Sequence, residues 1–310
     1  MPDSPSRQRP SDAAREKSTP RFIRILRLTR LLLHLVYGCF YVGVLFPFFS
    51  RRRRFRTIGR WARQLLSMLR LRIRVRGSLP AGEGPTMIVC NHVSWLDIWV
   101  VNAVVPVRFV AKSDIRRWPV IGFLVAGAGT IFIERQKKQD MVRTNRAIVQ
   151  ALTRGERVAM FPEGTTADGT EVRPFHASLF QPALGADARV VVTALRYVNR
   201  DGTPNLDAAY VGDRSLWDSV CLVLAHRTLD AELVFAATIE VRGKTRREIA
   251  REAESLTADA LWLPRPDRRP GTAADPQAAA PTASSPTSTR YPAQSHPARE
   301  ADPTLTSVRR

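Results

Sequence analysis

Cysteine is scarce: Cys39, Cys90 and Cys221 are odd in number, far apart and without a Cys-x-x-Cys pair. That excludes a disulfide framework and a cysteine-based zinc site, and it suits a reduced domain facing the cytoplasm. Internal repeats are absent, which excludes solenoids and propellers. Acidic residues are nearly missing from one end of the chain. Residues 1–76 hold nineteen Lys and Arg against three acids, so +16 of the net +20 lies there and the remaining 234 residues carry only +4. A basic balance confined to one end points to an anionic surface met by that end.

What is present begins with a hydrophobic run. From Leu31 to Phe49 every residue but His34 is apolar, and at about 1.5 Å per helical residue this is long enough to cross a bilayer core of ~30 Å. Four arginines follow it where a signal peptide would carry small residues at a cleavage site. Arginines stand on both sides, Arg21, Arg24, Arg27 and Arg30 before and Arg51–Arg54 after, which favours neither orientation of a simple crossing. Gly38, Gly43 and Pro47 offer the alternative of a hairpin dipping into one leaflet. Behind the run, Trp61, Leu65, Leu66 and Leu69 form one side of a helix whose other side carries Arg60, Arg63 and Arg70, the pattern of an interfacial element.

From Leu71 the pattern changes to strands alternating with helices. "LRIRVRG" has period two, while "TMIVC", "VRFVA", "AGTIFIE" and "RVAMF" are short β-rich runs, and "ARVVVTALRY" and "ELVFAATIEV" supply two more. A helical stretch is expected from about Gln139 to Thr153, closed by Gly155, and another from about Arg246 to Trp262, opened by the capping-box pair Thr245 and Glu248. The expected fold is α/β: a mostly parallel sheet with flanking helices, preceded by an N-terminal helical membrane anchor. The expected organisation is a disordered terminus over 1–20, anchoring helices over 21–70, a catalytic domain over 71–263 and a disordered tail rich in Pro, Ala, Ser and Thr over 264–310.

Three stretches carry candidate chemistry. In "CNHVSWLD", Cys90 to Asp97, a strand-to-turn-to-helix path lets Asp97 reach back to one ring nitrogen of His92, leaving the other to take a proton from a hydroxyl. The plainer reading makes Ser94 an N-cap with Asp97 at N3 and His92 a satisfied structural histidine. Cys90, two residues from His92, is in reach for a Cys/His pair, but it belongs to an apolar run and reads as a small hydrophobe. "FPEGT" places Glu163, Gly164 and Thr165 in a turn at a strand end, where amides and a hydroxyl suit an oxygen-rich ligand. "GTIFIER" ends on Arg135, a residue type suited to phosphate.

In this order and spacing, "NHVSWLD", "GTIFIER" and "FPEGT" closely resemble the lysophospholipid acyltransferase family, typified by 1-acyl-sn-glycerol-3-phosphate acyltransferases; the resemblance runs from about Leu26 through Trp262. It implies a glycerolipid acyltransferase-like fold, with His92 as general base and Asp97 as its orienting partner. Arg135 would hold the acceptor's phosphate, with Glu163, Gly164 and Thr165 also binding the acceptor. The implied reaction is attack of a lysophospholipid hydroxyl on an acyl thioester, acyl carrier protein or coenzyme A, at the cytoplasmic side of the inner membrane. No metal, no other cofactor and no nucleic acid are implied. Thr166 stands where many phosphate-acceptor members carry arginine, and Thr193 near where the family's fourth block carries proline. A related branch acylates lyso-ornithine lipid. A non-catalytic basic protein binding membrane or nucleic acid, and a hydrolase using His-activated water, are the readings from other classes.

Overall fold

The computed structural model describes residues 19–264 except 83, 134–137 and 200. The stretches expected to be disordered lie outside the described residues, apart from Thr19, Pro20 and Pro264 at their inner ends. The first helix, α1 (Arg21–Phe40), runs on through a wider turn at Tyr41–Leu45 and a tight one at Phe46–Phe48, and the chain breaks to extended backbone only at Phe49 and Ser50. Ser50 then caps α2 (Arg51–Met68), its Oγ accepting from the Arg53 amide at 3.4 Å. Gly38 and Gly43 therefore do not break the run into a hairpin. Gly38 is instead a contact point, where an added Cβ would lie 3.0 Å from the Trp61 indole nitrogen.

The 28 residues Arg21–Phe48 are long and apolar enough to cross a membrane, yet the helix is fastened along its length to the rest of the chain. The Thr19 amide donates to Ala225 O at 2.8 Å, and Arg27 Nη1 donates to His226 O at 2.8 Å. The His34 and Trp61 rings stack with centroids 4.5 Å apart, and the indole N–H donates to His34 O at 3.3 Å. Leu31, His34 and Gly38 face inward. Phe22, Ile25, Leu33, Val36, Phe40 and Phe48 face outward, a continuous apolar surface on one side of a docked helix. The apolar side of α2 is different. Leu65 and Leu66, with Leu69 just past its end, are buried in the core, while Arg60 and Arg63 on the helix and Arg70 beyond it are exposed.

Beyond α2 the strands are β1 (Leu71–Arg76), β2 (Thr86–Cys90), β3 (Arg108–Lys112), β4 (Ile131–Ile133), β5 (Arg157–Met160), β6 (Arg189–Val198) and β7 (Leu229–Ile239). They form one sheet in the order β1-β7-β6-β2-β5-β3-β4. All neighbours are parallel except β6 and β7, so β1 and β7 run against the other five. The mostly parallel sheet is as expected. β2 lies at its centre and is buried on both faces, which explains the uninterrupted apolar run of "TMIVC".

Period-two alternation sends Ile88, Cys90, Ala159, Leu195 and Tyr197 into one core, shared with α1, α2, α3 (Asp97–Val104) and α7 (Leu216–Ala225). Met87, Val89, Val158, Met160 and Val192 go to the other, under α5 (Lys138–Thr153), α6 (Gln181–Gly185) and α8 (Arg246–Leu261). The remaining helix, α4 (Ile121–Gly127), sits against the end of α1. The Thr245–Glu248 capping box forms with both bonds made. Glu156, buried just before β5, takes Arg51 and Arg108 at 3.0 Å each and ties the start of α2 to the sheet. Thr193 sits at the register shift between β6 and β7, its hydroxyl donating to Val89 O at 2.9 Å.

Candidate active site

Parallel strands deliver their C-terminal ends to one edge of a sheet, where the following loops build a site. Here β2 delivers Asn91 and His92, and its neighbour β5 delivers Phe161 and Glu163. Asn91 clamps the end of β2 to β6: its side-chain amide donates to Leu195 O at 2.8 Å and its Oδ1 accepts from the Leu195 amide at 2.8 Å. His92 then turns out of the sheet, and its Nδ1 lies 2.8 Å from Asp97 Oδ2. The same oxygen accepts from the Val93 amide at 2.7 Å and the Ser94 amide at 2.9 Å. The other, Oδ1, accepts from the Tyr197 hydroxyl at 2.7 Å.

Asp97 is 0% exposed, so four donors stand in for the water it loses on burial. A carboxylate accepting at Nδ1 fixes the proton there, which leaves the lone pair on Nε2. The His92 side chain retains 19% of its exposure, which opens the site to a reactant. Its plane is fixed by Phe161, stacked at 4.0 Å and 6°. Ser94 is not the N-cap: α3 begins at Asp97 after Leu96, with no side-chain cap bond. Asp97 sits in the first turn and bonds backward to the loop amides, so its carboxylate orients His92 and the loop and does not cap the helix.

The "FPEGT" turn closes with the Gly164 amide on Phe161 O at 3.1 Å, and Gly164 adopts φ 73°, the left-handed region that glycine enters without strain. Thr165 is exposed at its rim. Glu163 points inward, buried behind the histidine loop, with Oε1 accepting from the His92 amide at 3.3 Å. Burial pushes its carboxyl up to about 8, an effect the His92 amide only partly offsets and the Asp97 charge reinforces. The hydroxyl of Thr166 donates to Tyr210 O, and the Tyr210 amide donates to Val93 O at 2.9 Å, so the chain after β6 straps the two loops together. Arg135 lies outside the described residues.

Cys90 is buried in the core and burial raises its thiol far above the usual range, which removes it as a nucleophile. Sequence reasoning missed Tyr197, Phe161 and Asn91. Tyr197 is fully buried, and burial first, then the Asp97 charge, raises its hydroxyl well above the usual value; it stays protonated and donates. Among the described residues no group of three or more His, Cys, Asp or Glu is arranged to hold a metal ion.

Near this constellation lies a small apolar cavity of about 60 Å3, walled by Val42 of the α1 continuation, Trp61, Trp99, Phe109 and Val125. Phe109 stacks on Phe161 at 5.5 Å and Phe161 on His92, so a line of rings joins the cavity to the imidazole. An oriented base linked through two stacked rings to a hydrocarbon-lined cavity suits reactants with lipid-like groups. The family model for Acyltransferase matches residues 72–196. Over 217 residues the chain is 35% identical to a lyso-ornithine lipid O-acyltransferase of Pseudomonas aeruginosa, covering 70% of this chain and 80% of that one. Over 215 residues it is 34% identical to a 1-acyl-sn-glycerol-3-phosphate acyltransferase of Neisseria gonorrhoeae, covering 68% and 83%. The crystal structure of the 1-acyl-sn-glycerophosphate (LPA) acyltransferase from Thermotoga maritima matches with TM-score 0.53 at 19% identity, over 76% of this chain and 96% of that one, which shows the shared fold. The chain belongs to the lysophospholipid acyltransferase family, and it is an acyltransferase.

Proposed function

We propose that this enzyme moves a fatty acyl group from an acyl thioester to the free hydroxyl of 1-acyl-sn-glycerol-3-phosphate, giving phosphatidic acid. The observation that carries the reading is the His92 Nδ1–Asp97 Oδ2 contact at 2.8 Å, which turns Nε2 away from the carboxylate, on a ring that is still partly exposed. Nε2 takes the acceptor's hydroxyl proton as its oxygen bonds to the thioester carbonyl carbon. The carbon–sulfur bond then breaks, and the departing thiolate takes that proton back from the imidazolium. Asp97 stabilises the transient imidazolium without itself being protonated. Glu163 acts from behind, fixing the His92 backbone, while Gly164 and Thr165 at the rim and Arg135 meet the acceptor. The apolar cavity beside Phe109 receives the end of an acyl chain. The donor is acyl-acyl carrier protein or acyl-coenzyme A, and the enzyme needs no metal.

The outward apolar face of α1 supports membrane attachment in one leaflet. A helix docked along its length against α2, α4 and α7 lies in the plane of the membrane with the domain it is fastened to. The exposed arginines flanking it meet anionic headgroups on the cytoplasmic face of the inner membrane, each worth about 1 kcal/mol. Acyl transfer by the purified enzyme from defined thioesters to lysophosphatidic acid tests this reading. His92→Ala should lose 10²–10⁴-fold of the rate, the usual worth of a general base; a variant of near-normal rate would refute the mechanism.

A second acceptor, lyso-ornithine lipid, is favoured by one observation. Thr166 occupies the position of the family's frequent arginine, and its hydroxyl is committed to Tyr210 O. The rim thus lacks a second phosphate-binding guanidinium at that place. Presenting both acceptors in one assay separates the two, since preference for the aminolipid would replace the first assignment.

A further inference from the structure

Between β3 and α4 the chain makes a tight turn that nothing in the reaction uses. Ser113–Arg117 forms one short 3-10 turn, and Trp118, Pro119 and Val120 then lead into α4. The Ile121 amide donates to Pro119 O at 2.6 Å across Val120, whose φ of 63° and ψ of −57° make this a γ-turn of the rare, strained hand. A β-branched residue at positive φ is a genuine outlier, and such strain persists only where the surroundings over-determine it. They do so here. The Gly122 amide donates to Trp118 O at 2.8 Å, and a Cβ on Gly122 would fall 2.2 Å from Arg116 O, so the turn is folded hard onto its own base. What the strain achieves is display of a hydrophobe: Val120 is 47% exposed, with Trp118 at 39% and Phe123 at 49% beside it.

This apolar tip continues the outward face of α1. A Cβ on Gly43 would lie 3.5 Å from Phe123 Cζ, and one on Gly127 would lie 2.0 Å from Val42 Cγ1, so α4 is pressed against the end of α1 next to exposed Val44 and Phe48. Lys112, Arg116 and Arg117 are exposed around its base and no acid but Asp114 lies among them, so the rim suits anionic headgroups while the tip suits acyl chains. The turn also follows the C-terminal end of β3, two strands from β2 and so about 10 Å across the sheet. We propose that the Trp118–Phe123 turn is a second membrane-inserted element, a wedge that works with α1 to press the His92 edge of the sheet onto an anionic bilayer. This rests on the membrane-attached reading above.

The test uses the full chain and two vesicle sets, phosphatidylcholine alone and phosphatidylcholine with phosphatidylglycerol. Val120→Gly relieves the strained φ while removing the side chain, and Trp118→Ala removes the ring. Both should keep their melting temperature, with Val120→Gly equal to or above the parent. Each should lose about tenfold in partition to the anionic vesicles. Activity on a vesicle-borne acceptor should fall in parallel, while activity on a short-chain acceptor dissolved as monomer stays unchanged. Parent-like partitioning by both variants would overturn the wedge while leaving α1 attachment standing. Failure of the parent itself to bind either vesicle would overturn both. Activity lost without loss of partitioning would assign the turn to shaping the site itself and refute the proposal.

Discussion

Removing one hydroxyl from the interior should slow an enzyme whose reactants never touch it. Tyr197→Phe leaves the ring in the core and deletes the 2.7 Å donor to Asp97 Oδ1. Asp97 is wholly buried, so no water replaces that donor, and the carboxylate keeps three of its four partners. A hydrogen bond to a charged group contributes about 1.5–3 kcal/mol, so the variant should lose about 2 kcal/mol of stability. For a domain of this size that lowers Tm by about 4–8 °C. The surviving donors pull on only one oxygen, which lets the carboxylate tilt and the imidazole with it. A share of about 1.4 kcal/mol reaching the transition state costs tenfold in kcat, with KM for either substrate unchanged because no binding group has moved. Thermal melts and steady-state kinetics on purified protein read both. A variant with parental Tm and parental kcat would refute the view that Asp97 is held from both sides. A fall in Tm with intact kcat would confine Tyr197 to packing.

Glu163→Gln should flatten the pH dependence of stability. With its carboxyl near 8 in the fold against 4.5 as a free side chain, the folded chain holds an extra proton between those values. That stabilisation is fully present below about 4.5 and is lost as pH rises toward about 8, at roughly 1.4 kcal/mol per unit. Melts from pH 5 to 8 should therefore fall more steeply for the parent than for the glutamine variant, and equal slopes would contradict the assignment. Val125→Trp should fill part of the cavity and shift preference to shorter acyl thioesters. Each excluded methylene costs about 0.8 kcal/mol, roughly fourfold in rate, and an unchanged chain-length profile would place the acyl chain elsewhere.

The sheet was legible because β2, β5 and β6 are buried on both faces and write themselves as apolar runs, and because α8 announces itself with Thr245 and Glu248. The His92–Asp97 pair was legible because its two members are five residues apart. Tyr197 was not, since its partner lies 100 residues away and a tyrosine ending an apolar strand reads as core. Glu163 was found, but the turn signal of "FPEGT" says nothing about which way its carboxyl faces, and here one oxygen accepts from the His92 amide. For α2, amphipathicity alone cannot tell burial in a protein core from burial in lipid, and Leu65, Leu66 and Leu69 took the first. The glycines of the hydrophobic run were ambiguous in the same way, between bending a helix and letting a neighbour approach it.

The wall formed by Val42 and Trp61 belongs at once to the α1–α2 helix pair and to the apolar cavity. The anchor is therefore not a detachable module. Exchanging it for an unrelated transmembrane segment would keep the protein at the membrane and leave the cavity without one side. On the proposed membrane-attached reading, substitutions in this wall would therefore shift acyl-chain preference and depth in the bilayer together.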